Sequence, residues 1–182
     1  MADDRSAEPQ ASVGSSDDDG PADLVATAAR LGERCRALDR RIATVESCTG
    51  GLVAHLITEI PGSSDWFVGG FVTYSNALKS DTVGVPAEVL ASHGAVSAQV
   101  AMAMATGGRE RTGADLAVAV TGIAGPDGGT PAKPVGLTYV AVADAVGVAV
   151  KRHVWSGDRS TNKRRSAGAA LSLLLERVEA SA

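Results

Sequence analysis

The sequence predicts an α/β fold in which helices cover both faces of a mixed, mostly parallel β-sheet. Short apolar runs of strand length alternate with segments whose apolar residues recur every three or four positions, which is the period of an amphipathic helix. Residues 115–120 (DLAVAV) are apolar almost throughout, as in a strand that is buried on both faces. The apolar residues over 135–150 are interrupted near Asp144, which predicts a hairpin and therefore antiparallel strands in the same sheet.

The helices are predicted from this spacing and from the turn and capping residues at their ends. In residues 21–39 the apolar positions are separated by steps of four, three, four and three residues, and Pro21 suits a first helical turn. Ser97 is a suitable N-cap for a longer helix. The predicted helices cover residues 21–39, 52–57, a short segment capped by Ser75 or Asn76, a short segment after Pro86, and residues 97–112 and 158–178.

The strands are predicted from short apolar runs bounded by glycine, proline and small polar residues. They cover residues 42–45, 67–74, 115–120 and the two halves of 135–150. Gly69 and Gly70 in the second run indicate a bulge or the close approach of another backbone.

The first twenty residues are predicted to be a disordered acidic tail that precedes a single domain over residues 21–182. Six acidic side chains, one basic side chain and one branched apolar residue, Val13, leave too little apolar surface to offset the entropy of ordering. The tail carries a net charge of −5 and the whole chain −4, so the domain is close to neutral. A nucleic-acid-binding surface is therefore not expected, and aromatic residues (3%) are too few for base stacking.

Membrane and metal functions are also not indicated. No stretch approaches the about 20 consecutive apolar residues that a membrane-spanning helix needs, and the acidic N-terminus is unlike a signal peptide. Cys35 and Cys48 lack the spacing of a metal site or a disulfide framework, and none of the three histidines has a second ligand nearby. We therefore expect a cytoplasmic protein that uses no metal ion or other cofactor.

Three loops rich in small polar residues each follow a predicted strand. In open α/β sheets, ligands gather at the carboxyl ends of the strands, so these loops are expected to form one site. The first, residues 46–51 (ESCTGG), places Ser47 beside backbone amides that suit an oxyanion or a phosphate. Alternatively, Ser47 or Thr49 is an N-cap, and the two glycines only allow close packing.

The second loop, residues 73–79, contains two titratable side chains, Tyr74 and Lys79. Either could act as a general base for a serine if burial or a nearby cation lowered its pKa. Alternatively, Lys79 is a solvated surface group, as lysines usually are, and Tyr74 belongs to the core or its rim.

The third loop, residues 121–134, is dense in glycine, so its backbone amides could approach an anion closely. It lacks the residue order of a P-loop and of a dinucleotide-binding motif. A flexible connection is the alternative, although a loop of this length is more often functional. Arg159 and the basic run 163–165 could contact a phosphate or form a solvated face of the last helix.

Together, these loops and their flanking segments resemble the C-terminal domain family of CinA, whose stand-alone members are nicotinamide-nucleotide amidases. The resemblance extends over residues 24–179, and it is specific because many strings keep their order and spacing. The matching strings are ESCTGG (46–51), PGSS (61–64), GFVTYSNALK (70–79), GVP (84–86), HGAVS (93–97), VTGIAGPDGG (120–129), KPVGLTYVAVA (133–143) and GDR (157–159).

The resemblance implies a three-layer α/β/α fold, a homodimer or higher homo-oligomer, and no metal. It also implies hydrolysis of the carboxamide of nicotinamide mononucleotide to nicotinic acid mononucleotide and ammonia. Ser47 corresponds to the nucleophile of the family, Tyr74 and Lys79 to the groups that activate it, and Thr121 to a residue that assists at the same site. The substrate contacts implied in the same way are Thr49, Gly50, Gly51, Asn76, Gly122, Gly125 and Arg159. Lys163 stands where the family usually has a second arginine, and lysine lacks the bidentate fork that suits a phosphate.

The resulting hypothesis is acyl transfer through serine. Ser47, deprotonated by Lys79 or through Tyr74, attacks the carboxamide carbon while amides at the start of the following helix, with Thr121, hold the oxyanion. The substrate phosphate is expected against residues 122–129 or Arg159. Two alternatives stay open: a non-catalytic nucleotide-binding or competence- and DNA-damage-related interaction module, and a hydrolase that acts on another pyridine or carboxamide nucleotide.

Overall fold

The computed structural model describes residues 21–180. The predicted acidic tail, residues 1–20, lies outside the described residues, so its disorder stays a prediction. None of the helices within the described range combines the length and apolar character that a bilayer-spanning helix needs.

Helices and strands alternate through the first part of the chain, and a hairpin precedes the last helix. The α-helices are α1 (Pro21–Ala37), α2 (Leu52–Thr58), α3 (Asn76–Val83), α4 (Ala87–His93), α5 (Ala98–Thr112) and α6 (Arg159–Ala180), and a short 3-10 helix spans Ser63–Asp65. The strands are β1 (Ile42–Glu46), β2 (Phe67–Val72), β3 (Leu116–Gly122), β4 (Leu137–Ala143) and β5 (Val148–Val154).

The five strands form one sheet in the order β2-β1-β3-β4-β5. β1 pairs in parallel with β2 and β3, whereas β4 pairs antiparallel with both β3 and β5. Within the described residues, β4 therefore runs opposite to the other four strands. This arrangement confirms the mixed sheet and the hairpin around Asp144.

Helices cover both faces of the sheet, as the sequence predicts. On one face α1, α2 and α6 bury a cluster that includes Leu31, Ile57 and Leu171. On the opposite face α3, α4 and α5 surround a second cluster that includes Val83 and Met104. Burial of each large apolar side chain contributes about 1.5–3 kcal/mol, so the two clusters hold the three layers together.

Two glycines let α5 lie unusually close to its neighbours. A Cβ atom on Gly107 would overlap the backbone carbonyl of Val83, and one on Gly108 would overlap the side chain of Val45. Gly108 therefore places α5 directly on β1 just before that strand ends. This contact helps to fix the position of the loop that follows β1.

The ends of several elements differ slightly from the prediction. The predicted strand 67–74 ends at Val72, although the amide of Thr73 still donates to the carbonyl of Glu46 at 2.8 Å. The chain then turns into α3, where Ser75 rather than Asn76 is the cap: its Oγ accepts a hydrogen bond from the amide of Leu78. Ser97 caps α5 as predicted, accepting from the amide of Val100.

Candidate active site

The three polar loops meet at one edge of the sheet. Because β1, β2 and β3 run parallel, the residues after them emerge side by side at their carboxyl ends. A cleft of about 270 Å³ opens there. Seven of the predicted site residues line it: Ser47, Tyr74, Lys79, Thr121, Gly122, Gly125 and Arg159.

Ser47 directly follows β1 and is nearly buried, with 8% of its surface exposed. Its amide donates to the carbonyl of Val120 at 3.0 Å, which continues the pairing between β1 and β3 beyond the end of β1. Its Oγ lies 3.1 Å from Nζ of Lys79. The hydroxyl is thus anchored through the backbone and within hydrogen-bonding distance of an amine.

Lys79 lies in the first turns of α3 and points into the protein rather than into solvent. Its side chain is 1% exposed, and burial lowers its pKa below the usual lysine value. Nζ donates to the carbonyls of Thr73 at 2.7 Å and Tyr74 at 3.2 Å. Two carbonyls and the Ser47 hydroxyl therefore surround the amine, and burial favours its neutral form, which a general base requires.

Tyr74 lines the cleft at its mouth, and its side chain is 62% exposed. Its phenol oxygen lies 3.5 Å from Nη2 of Arg159. Within the described residues this phenol makes no hydrogen bond to the side chain of Ser47 or Lys79. Of the two groups that the sequence left as possible bases, the structure therefore places Lys79, and not Tyr74, against the Ser47 hydroxyl.

Arg159, the first residue of α6, links this mouth to the glycine-rich loop. Its Nη1 donates to the carbonyl of Gly125 at 2.8 Å. The next turn of α6 repeats this contact, because Asn162 donates from Nδ2 to the carbonyl of Ala124 at 3.1 Å. Both contacts hold the loop against the start of α6 at the cleft.

Thr121 is 1% exposed and lines the same cleft as Ser47 and Lys79. Its hydroxyl donates to the carbonyl of Ala95 at 2.8 Å, which holds the turn between α4 and α5 against the site. With its proton engaged there, Thr121 has no hydrogen left to donate to an oxyanion in this state. This contact differs from the oxyanion contact that the sequence hypothesis gave to Thr121.

The amides at the start of α2 are also engaged, contrary to the expectation that they face an oxyanion. The carboxylate of Glu46 accepts hydrogen bonds from the amides of Gly51 at 2.8 Å, Val53 at 3.1 Å and Ala54 at 2.8 Å. This carboxylate accepts no hydrogen bond from the amide of Cys48, a residue that lines the cleft beside Ser47. A carboxylate inside the protein thus occupies the place that the sequence hypothesis gave to the substrate.

The other predicted substrate contacts lie outside the cleft wall. Thr49 is completely buried, and its hydroxyl has no hydrogen-bond partner within residues 21–180. Asn76 is exposed in the first turn of α3. Gly50 and Gly51 both have positive φ, of 65° and 98°, which permits the tight turn after Ser47. A Cβ atom on Gly50 would lie 3.7 Å from Nζ of Lys163, so this lysine sits next to that turn.

Sequence reasoning did not single out Glu46, Cys48 or the turn at Ala95 and Val96, all of which contribute to the site. Burial raises the pKa of the Cys48 thiol to about 12, so it stays protonated beside Ser47. A signal for Glu46 was present in the sequence. A carboxylate just before a Ser and two glycines, and six residues before a helix, is placed to cap that helix.

The described residues contain no group of three or more His, Cys, Asp or Glu side chains that could hold a metal ion. The groups that line the cleft include the hydroxyls of Ser47 and Thr121, the amine of Lys79, the phenol of Tyr74 and the guanidinium of Arg159.

The sequence profile of the CinA C-terminal domain matches residues 25–178. The chain belongs to this family. Nicotinamide-nucleotide amidohydrolase PncC from Pseudomonas putida is 48% identical over 153 residues, which cover 84% of this chain and 96% of that relative. PncC from Escherichia coli K12 is 46% identical over 153 residues, covering 84% of this chain and 93% of the relative.

A solved structure of the same family has the same fold. The competence/damage inducible protein CihA from Agrobacterium tumefaciens matches with a TM-score of 0.84 and 42% identity, over 86% of this chain and 96% of that chain. The CinA resemblance inferred from the sequence strings is confirmed, and with it the three-layer fold.

Proposed function

We propose that this chain hydrolyses the carboxamide of nicotinamide mononucleotide to nicotinic acid mononucleotide and ammonia, with Ser47 as nucleophile and Lys79 as general base. One observation carries the catalytic part: a buried amine with a lowered pKa lies 3.1 Å from a nearly buried hydroxyl at the floor of a cleft. The amidohydrolase names of relatives that align over almost their whole length support the substrate class.

In the first half of the reaction, neutral Lys79 accepts the proton of the Ser47 hydroxyl as Oγ bonds to the carboxamide carbon. The carbonyl oxygen becomes an oxyanion. The amides of Gly51, Val53 and Ala54 already donate hydrogen bonds to Glu46. We therefore assign stabilisation of the oxyanion to the amide of Cys48. Collapse of the tetrahedral species breaks the C–N bond, Lys79 returns the proton to the leaving nitrogen, and ammonia departs.

In the second half, a water molecule attacks the ester formed on Ser47, and Lys79 accepts a proton from that water. The C–O bond to Ser47 breaks, and the proton passes from Lys79 to the serine oxygen. The acid product leaves, and the neutral amine and free hydroxyl are restored. The two backbone carbonyls on Lys79 hold the amine in place throughout both halves.

Arg159 supplies positive charge at the mouth of the cleft, away from Ser47, and we assign it the substrate phosphate. A guanidinium binds a phosphate through paired N–H donors, and its contact to the carbonyl of Gly125 pre-orients it. Because the phosphate binds away from the reacting carboxamide, its binding energy favours the nucleotide over free nicotinamide as a substrate.

A panel of four compounds tests the substrate class: ammonia release from nicotinamide, its riboside, its mononucleotide and the corresponding dinucleotide. The proposal expects the highest kcat/KM for the mononucleotide. Equal rates with nicotinamide itself would contradict the phosphate assignment. Release of ammonia from none of the four, with nucleotide binding seen by calorimetry, would instead favour a binding module.

The proposal extends to a cytoplasmic location and to a homodimer or higher homo-oligomer, which the resemblance implies. Light scattering coupled to size-exclusion chromatography checks the assembly: two or more times the mass of the 18.3 kDa chain supports it, and a monomer mass contradicts it.

A further inference from the structure

Glu46 is a buried carboxylate, 1% exposed, that stands at the end of β1 immediately before Ser47. A carboxylate in such a position is costly unless its oxygens accept hydrogen bonds. Here one oxygen accepts from the amides of Gly51 and Val53, and the other accepts from Ala54. The charge therefore lies against the first amides of α2, where a negative group is favoured.

These contacts close a ring around the turn that carries the nucleophile. The side chain of Glu46 reaches forward over residues 47–50 and bonds to the amide of Gly51. Within the ring, the amide of Gly50 donates to the carbonyl of Ser47 at 3.1 Å. The turn has two glycines with positive φ, so without the carboxylate it would have wide conformational freedom.

The backbone of Glu46 meets the other half of the catalytic pair. Its carbonyl accepts from the amide of Thr73 at 2.8 Å, and the carbonyl of Thr73 in turn accepts from Nζ of Lys79 at 2.7 Å. Glu46 thus touches both segments whose relative position sets the distance from Ser47 Oγ to Lys79 Nζ. Its side chain binds the amides that follow the Ser47 turn.

We infer that Glu46 is a positioning residue: its carboxylate, by binding the first amides of α2, fixes the Ser47 turn so that Oγ faces the Lys79 amine. This inference rests on the proposed function, in which that pair performs catalysis. It also explains why the start of α2 is closed to the substrate, since an anion is already bound there from within the chain.

Glu46→Gln and Glu46→Ala test the inference. The amide oxygen of glutamine can still accept from Gly51 and Val53, but its NH₂ group then faces the amide of Ala54, so one of the three bonds becomes a donor–donor contact. Alanine removes all three bonds. Displacement of a reacting group by about 1 Å costs about 100-fold in rate, so we expect about a 100-fold lower kcat for alanine and an intermediate loss for glutamine.

KM should change by less than about threefold in both variants. Glu46 does not line the cleft, and its hydrogen bonds position the nucleophile rather than the substrate. If the alanine variant does not fold, the glutamine variant, which keeps the volume of the side chain, still decides. Unchanged kcat in a folded Glu46→Gln would overturn the inference, as would a loss confined to KM.

Asp144→Asn is the matched control. Asp144 also accepts backbone amide bonds, from Val146 at 2.8 Å and Gly147 at 3.0 Å, and it pairs with Arg177, but it follows β4 at the end of the sheet opposite the cleft. The same carboxylate-to-carboxamide change there should lower stability without lowering kcat. Equal loss of kcat at matched thermal stability in both variants would show a merely structural effect and contradict the inference.

A fluorophosphonate probe, which labels nucleophilic serines, separates this inference from the substrate assignment. We expect rapid labelling of Ser47 in the wild-type chain and labelling at least about tenfold slower in Glu46→Gln. Equal rates in the two chains would overturn the positioning role while leaving the serine mechanism intact. A wild-type chain that releases ammonia but is not labelled at Ser47 would contradict the serine mechanism and this inference together.

Discussion

Replacing Lys79 by methionine removes the amine but keeps an unbranched side chain of similar length in the buried channel. General bases contribute about 10²–10⁴-fold to rate, and Lys79 has the geometry of the base toward Ser47, so we expect kcat to fall by about 1,000-fold. The variant should bind substrate with little change, because Lys79 is 1% exposed at the floor of the cleft.

The wild-type pH dependence follows from the direction of the Lys79 pKa shift. Burial lowers this pKa, and the neutral amine is the active form, so kcat/KM should rise with pH through the lowered value and level off before pH 10.5, the usual lysine value. In Lys79→Met the residual rate should lack this ionisation.

Stability should respond to the same group with a sign that can be worked out. Between the lowered pKa and 10.5, the unfolded chain still binds the proton that the folded chain has released. The free energy of unfolding therefore rises with pH in this window, by at most about 1.4 kcal/mol per pH unit for one group. Below the window both states are protonated, so this lysine causes no slope there.

Urea unfolding at several pH values, on wild type and Lys79→Met, measures the effect as a difference between two chains. The difference removes contributions from other titrating groups. If the free energy of unfolding of the wild type increases relative to that of the variant as pH rises, a buried lysine that deprotonates on folding is supported. A difference that is flat across the window, or that falls, would refute the reasoning and the assignment of Lys79 as base.

Four further predictions use other parts of the site. Tyr74→Phe should lower kcat by less than about tenfold, because the phenol contacts Arg159 and not the Ser47 hydroxyl; a loss as large as that of Lys79→Met in the same ammonia assay would make Tyr74 the base. Arg159→Ala should raise KM for the mononucleotide by about 10- to 100-fold, the worth of one charge-assisted contact of about 1.5–3 kcal/mol, and leave KM for the riboside unchanged. Iodoacetamide should not inactivate the enzyme at neutral pH, because the Cys48 pKa of about 12 leaves almost no thiolate; rapid inactivation that is lost in Cys48→Ala would contradict this. Gly108→Ala should destabilise the fold by about 1–3 kcal/mol in urea unfolding, since the added methyl overlaps a valine of β1, and a neutral result would show that α5 can shift.

The architecture could be predicted because it follows from local patterns. The apolar spacing of α1, the continuous apolar run of β3 and the break near Asp144 are short-range features, and each appears in the structure as an element or a turn. Element ends were less predictable: whether Ser75 or Asn76 caps α3 depends on one hydrogen bond, to Leu78, that spacing alone does not reveal.

The candidate site could be predicted as a set of loops but not as a set of contacts. Ser47, Lys79 and Thr121 come from three loops that parallel strands bring to one edge, which topology alone implies. The contact between the Ser47 hydroxyl and the Lys79 amine could not be predicted from the sequence. It depends on the directions of two side chains that are 32 positions apart in the chain. The engagement of Thr121 by Ala95 is also a long-range contact, from a turn without any chemical signature.

Glu46 shows a different limit of sequence reasoning. A charged residue at the end of an apolar strand is most often exposed. The spacing of Glu46 from α2 suggests a cap for that helix, but its burial and its three hydrogen bonds depend on backbone amides that the neighbouring side chains do not reveal.

The proposed reaction depends most directly on the Ser47 hydroxyl, and Ser47→Ala tests it with two readouts, ammonia release from nicotinamide mononucleotide and calorimetric binding of the same compound. We predict that turnover falls by at least about ten-thousand-fold while Kd stays within about threefold of wild type, because only the bond-forming atom is removed. Ammonia release close to the wild-type rate would contradict a serine nucleophile and would leave direct attack by water as the chemistry of this cleft.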